Sequence, residues 1–149
     1  LEDGVSDNPV IHRDFFRAAI GNELGRGVSR AVYACTLNQQ WVVKVEEWAN
    51  NFQNVAEWLI WSRVNGTEFA QWFAPCHFIS PNGSILIQSR TIPAREHEYP
   101  DRLPAFFTDF KRTNYGLIGK RFVCHDYGTA LVIDNGLSKK MRKPKWWDE

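Results

Sequence analysis

Only one stretch of this 149-residue chain carries the apolar spacing of a long packed helix. Across residues 51–64, Phe52, Val55, Ala56, Leu59 and Ile60 recur three and four apart. Asn50 or Asn51 is placed to cap the start and Gly66 to end it. Trp58 and Trp61 fall off that stripe, so the helix is expected to be wrapped on more than one side. Nearly everything else is short β-rich runs broken by turn residues. Residues 31–35 and 41–45 flank the polar turn Leu37-Asn38-Gln39-Gln40, an antiparallel hairpin in which Trp41, Val43 and Val45 share one face and Val42, Lys44 and Glu46 the other. Runs at 73–79 and 84–88 flank Pro81-Asn82-Gly83, and runs at 115–118 and 121–124 flank Gly119-Lys120, a tight hairpin signal. A last run, Leu131-Val132-Ile133, precedes Asp134-Asn135-Gly136, and Asp14 ahead of Phe15-Phe16 predicts a short capped helix or turn ending at Gly21. The order predicts an α+β class, a mostly antiparallel sheet with one major packed helix.

One domain over 1–149 fits this length, and its core needs no metal or disulfide staples. With 44% hydrophobic residues and a net charge of +1, disorder is excluded for most of the chain, as is an overall electrostatic case for nucleic acid or a membrane surface. Cys35, Cys76 and Cys124 are odd in number and have no metal-ligand spacing, which points to a reducing, cytoplasmic setting. The segment Leu1-Glu2-Asp3-Gly4 lacks the basic-then-apolar pattern of a signal peptide, and no apolar run is long enough for a bilayer. The basic tail 139–149 holds Trp146 and Trp147. It reads as a solvated segment whose tryptophans pack back on the body, with at most weak nucleic-acid binding by charge and stacking.

Chemistry-bearing residues lie in a definite order. Leu24-Gly25-Arg26-Gly27-Val28-Ser29-Arg30 is a glycine-containing turn running into a strand, where Gly25 and Gly27 let backbone amides approach phosphate oxygens. Lys44 follows in the next strand, and Glu57 stands 13 positions later in the helix, where it can meet the ammonium. Asp109 and Asn114 are five apart, and Asp126 follows the next hairpin. Two carboxylates and an amide are what magnesium needs beside a triphosphate, and one carboxylate can accept a proton from an attacking hydroxyl. Each piece has a plainer reading: an ordinary β-turn, a solvated lysine, an exposed glutamate. His125 and Cys124 read as packed strand residues rather than as proton carrier or nucleophile.

In order, G-R-G-V-S-R-A-V, V-V-K-V, N-V-A-E, D-F-K-R-T-N and D-Y-G resemble the signature series of the protein-kinase-like fold. The resemblance implies an N-lobe-like part over about 14–92, a catalytic-loop hairpin and D-Y-G part over 93–138, and a much reduced C-lobe. It implies ATP and Mg2+ as cofactors. Gly25 and Gly27 would cover the phosphates; Lys44 would hold them and pair with Glu57. Asp109 would be the catalytic base, with Lys111 near the γ-phosphate, and Asn114 and Asp126 would bind magnesium. Residues 88–92, with Ser89 and Thr91, would form the hinge facing adenine.

The chain also departs from the pattern. Arg30 replaces the loop's third glycine, Phe107-Thr108 replaces the His-Arg before the catalytic Asp, and the Lys44-to-Glu57 interval is short. Only 17 positions separate Ile92 from Asp109, and 21 residues follow Gly128, too few for the helices and platform that seat a protein substrate. The expectation is therefore a minimal ATP- and magnesium-binding phosphotransferase acting by autophosphorylation, on a small acceptor or on a docked protein. The alternative is a pseudokinase-like module that works through a protein partner, for which seven tryptophans supply aromatic surface.

Overall fold

The computed structural model describes residues 9–46, 52–128 and 136–149. Helix α1 (Pro9–Ala18) leads into β1 (Ile20–Arg26), β2 (Arg30–Cys35) and β3 (Trp41–Glu46). Helix α2 (Gln53–Val64), β4 (Cys76–Ile79) and β5 (Ile85–Ser89) follow. The five strands form one antiparallel sheet in the order β1-β2-β3-β5-β4. Beyond it come β6 (Leu103–Pro104), β7 (Tyr115–Ile118), β8 (Arg121–Cys124) and β9 (Met141–Arg142). Strands β7 and β8 make the expected hairpin, turning at Gly119 with φ +61°, a conformation that disfavours a Cβ. β6 pairs with β9, so the basic tail is tied to the body. The class is α+β, as the run order requires.

The two-residue period sorts the central strands as expected. Tyr33, Val43 and Ile87 lie abreast on one face, where Phe16 of α1 and Ala19 just after it cover Cys35, Val43 and Ile87 in an apolar cluster. Val32, Lys44 and Leu86 lie abreast on the other face, which receives α2 and the 103–128 region. A larger cluster there joins Ile60 and Val64 of α2 to Phe73, Phe106, Phe107, Tyr115 and Tyr127.

Several local expectations are corrected. Residue 14 lies inside α1 rather than capping it, because the helix starts at Pro9. The strand expected over 73–79 is β4 alone; Phe73 makes one isolated bridge to Cys124, after a 3-10 turn at Glu68–Trp72. In α2 only Ile60 of the predicted apolar stripe is buried. Phe52 and Leu59 are exposed, whereas Asn54, Glu57, Ile60 and Val64 are buried. The helix is rotated because its polar residues find charged partners on the sheet, which offsets the cost of burying them. The capping candidates Asn50 and Asn51, and the run 131–133, lie outside the described residues.

Between residues 90 and 110 the described chain holds β6 and a three-residue 3-10 turn, Glu96–Glu98, and no long helix. Of the tail's two tryptophans, both expected to pack back on the body, Trp147 stays half-exposed. Trp146 packs edge-on against Tyr99, Phe110, Tyr115 and Phe122. Cys35, Cys76 and Cys124 are buried free thiols, and burial pushes the Cys76 thiol up to about 12.

Candidate functional site

The site grows from the sheet face that carries Lys44. Arg30 lies opposite Glu46, and Val32 opposite Lys44, so alternation puts Arg30 and Lys44 on the same side. Asn54 and Glu57, three apart on α2, sit over them. Lys44 Nζ donates to Glu57 Oε1 at 2.8 Å and also to the His125 carbonyl. Arg30 donates to both Glu57 oxygens, at 2.7 and 2.9 Å, a bidentate pairing that fixes the carboxylate plane.

Glu57 is the hub. Besides the two cations, its Oε2 accepts from the backbone N–H groups of Tyr127 and Gly128, each at 3.0 Å. Helix, sheet and the D-Y-G segment therefore meet on one fully buried carboxylate. Burial alone would raise its pKa, but the charges of Lys44 and Arg30 bring it down to about 2. Burial likewise works against the Arg30 guanidinium, and the Glu57 charge, followed by Asp126 and Glu46, outweighs it and holds the group up. Gly128 is also sterically required: a Cβ there would stand 2.9 Å from the Gln53 carbonyl oxygen at the start of α2.

Arg30 reaches further, to Asp126 Oδ1 at 2.7 Å. Asp126 is half-exposed, and with Thr108 and Asp109 it borders a small cleft. Asn114 is buried, and its backbone carbonyl accepts from the His125 and Asp126 N–H groups at 2.9 and 3.3 Å. His125 is packed, as expected. Its Nδ1 pairs with Thr91 Oγ1 and its Nε2 with the Thr113 carbonyl, both at 2.7 Å, and burial followed by the Lys44 charge brings its pKa down to about 4.

Thus Lys44, Glu57 and Asp126 come together, Asn114 touches Asp126 through its backbone, and Asp109 shares the cleft. The remaining candidates stand apart. Lys111 pairs with Glu149 and lies over the Trp147 ring, while its backbone N–H donates to Asp109 Oδ1 at 3.1 Å. Gly25 and Gly27 lie in the exposed β1–β2 hairpin, where a Cβ at Gly25 would meet nothing within 4 Å. Ser89 Oγ pairs with His77, and Ser89, Arg90 and Ile92 border a groove with Ala34, Gln40 and Leu117, whereas Thr91 lines a separate pocket with Tyr99, Thr113 and His125. Ile92 is bridged to Leu117 by reciprocal backbone bonds of 2.9 and 2.8 Å.

Among the described residues, no group of three or more His, Cys, Asp or Glu side chains is gathered to hold a metal alone. The donors at the cleft are nonetheless hard oxygens. That suits magnesium, which takes one or two carboxylates and fills its shell with water and phosphate. Residue-by-residue reading missed Arg30, Asn54 and the 127–128 backbone. Period-two counting back from Lys44 across the hairpin could have found Arg30, and the i, i+3 spacing to Glu57 could have found Asn54.

No helix among the described residues is long and apolar enough to cross a membrane. The chain matches no protein-family model and no curated protein.

Proposed function

We propose that this chain is a minimal kinase-like protein that binds ATP with magnesium and can transfer a phosphoryl group. The observation that carries the reading is the buried Lys44–Glu57 pair, set on the same sheet face as Asp126. An ammonium locked to a carboxylate keeps its position without a ligand, so a phosphate chain would meet a preorganised charge. Asp126 and Asn114 would hold magnesium, which when bound neutralises phosphate charge. Asp109, exposed at the cleft mouth, would accept the proton of an attacking hydroxyl. Adenine would lie in the groove beside Ser89 and Arg90, with Thr91, the other hinge candidate, turned to His125. The β1–β2 hairpin with Gly25 and Gly27 would cover the phosphates, and Lys111 would have to leave Glu149 to reach the γ-phosphate.

A second reading is a catalytically inactive module that acts through a protein partner. Phe52, at the start of α2, and Leu59, seven residues on, favour it, because both leave apolar surface facing outward. ATP titration with and without magnesium separates the two, run on the native chain, Lys44→Ala and Asp126→Asn, together with a search for transfer of labelled γ-phosphate. The first reading expects magnesium-dependent binding in the native chain, weakened in both variants. No such dependence sinks it; binding without transfer to any candidate acceptor favours the second.

A further inference from the structure

We infer that Arg30 is a positioning residue: it grips one oxygen of Asp126 and so fixes the carboxylate that faces the cleft. The inference rests on the nucleotide–magnesium reading above and adds a residue which that reading does not use.

The guanidinium is almost wholly buried, with its side chain 6% exposed against 44% for Asp126. Its four terminal N–H groups have four acceptors. One nitrogen donates to Glu57 Oε1 at 2.7 Å and Asn54 Oδ1 at 3.2 Å; the other donates to Glu57 Oε2 at 2.9 Å and Asp126 Oδ1 at 2.7 Å. Bidentate pairing with Glu57 sets the plane of the fork, and Glu57 is itself pinned by Lys44 and by the Tyr127 and Gly128 amides. The direction of the remaining N–H is then no longer adjustable. Asp126 lies on the segment between the β7–β8 hairpin and the D-Y-G glycine, 96 residues from Arg30 in sequence. It is thereby tied to the same carboxylate that holds Lys44. The cation that would meet phosphate and the carboxylate that would meet magnesium are fixed relative to each other through a single planar group.

A lysine at position 30 would keep the charge but lose the fork, since a point charge cannot serve Glu57 twice and Asp126 once in set directions. Groups that orient a metal ligand typically change metal affinity 10- to 100-fold when replaced. The test is an ATP titration in EDTA and across a magnesium series, on the native chain, Arg30→Lys, Asp126→Asn and the double variant. Thermal melts are recorded alongside. Arg30→Lys is expected to raise the half-saturating magnesium about tenfold, a larger change than any loss of ATP affinity in EDTA that the weaker hold on Glu57 brings. The effect is expected to vanish in the Asp126→Asn background.

An unchanged magnesium midpoint in Arg30→Lys, an equal loss in EDTA, or an effect that persists without Asp126 overturns the assignment. No magnesium response in the native chain overturns the nucleotide reading and this inference with it, whereas a native response that Arg30→Lys retains overturns this inference alone. A measurement without variants guards against misfolding: the Arg30 Nη proton resonances of the native chain are followed by NMR as magnesium and ATP are added. Their persistence supports the assignment, and their collapse on magnesium addition, with Asp126 leaving Arg30, overturns it.

Discussion

Both faces of the five-stranded sheet have a dry centre, yet they are kept dry by different means. Under α1, Phe16, Val43 and Ile87 are fully buried and only apolar surface meets apolar surface. Under α2, Asn54 and Glu57 are fully buried and Lys44 and Arg30 nearly so, each satisfied by named partners. The apolar face is held by area, which is non-directional and tolerates small losses. The charged face depends on a count of donors and acceptors, and losing one leaves others stranded in a dry interior. A chain that needed only stability would gain little from such a cluster, because buried pairs are weak stabilisers compared with good packing. That contrast is the physical reason to look for function on the α2 side.

The largest expected effect breaks the charged face at its hub. Glu57→Ala leaves two buried cations without their shared carboxylate and should lower stability by about 3–5 kcal/mol, read by denaturant unfolding. An Ile87→Val change on the apolar face removes one methylene and should cost only about 0.5–1.5 kcal/mol, with the proposed ATP binding unchanged. Equal losses from the two would erase the distinction between the faces.

Acid should act chiefly on the α2 side, although burial also lowers the pKa of His77, stacked on Trp41 at the edge of the apolar face. His125, brought down to about 4 in the fold, takes up its proton first in the unfolded chain. Stability therefore falls as pH drops from the ordinary histidine range towards 4. Glu57, brought down to about 2, adds a further loss that begins below the ordinary carboxylate range and is complete only near pH 2. Melts of His125→Asn should lose much of the upper part of this acid dependence, leave the share due to His77, and keep the lower part. The smallest effect is at the surface, where Lys111→Ala removes the pair with the exposed Glu149. It should change stability by less than about 1 kcal/mol, with the difference shrinking in salt.

The sequence was most legible where local rules act alone. The 31–35 and 41–45 hairpin, the turn at Gly119 and the alternation through Val43 and Lys44 follow from turn chemistry and the two-residue period, and the structure contains all three. The Lys44–Glu57 contact was also legible, because it needs only a strand, a helix and their packing. What failed was the inward face of α2. A hydrophobic stripe was read from Phe52, Val55, Ala56, Leu59 and Ile60, and no local rule says that Asn54 and Glu57 will be worth burying. Their burial depends on Arg30 and on the backbone of residues 127 and 128, contacts made across 24 to 71 positions of chain. Arg30 itself looked like a lost glycine, since its partners can be seen only once the sheet and the D-Y-G segment are in place.

Those separations bear on the order in which the molecule assembles. The β2–β3, β4–β5 and β7–β8 pairings join neighbours in sequence, whereas Arg30–Asp126 and Lys44–His125 span 96 and 81 positions. Long loops must close before such contacts return any free energy, so the hairpins form early and the polar clasp late. Weakening the clasp then speeds unfolding and leaves refolding nearly untouched. The charged cluster would thus be a latch on the finished fold, one whose loosening should shorten the lifetime of the native state.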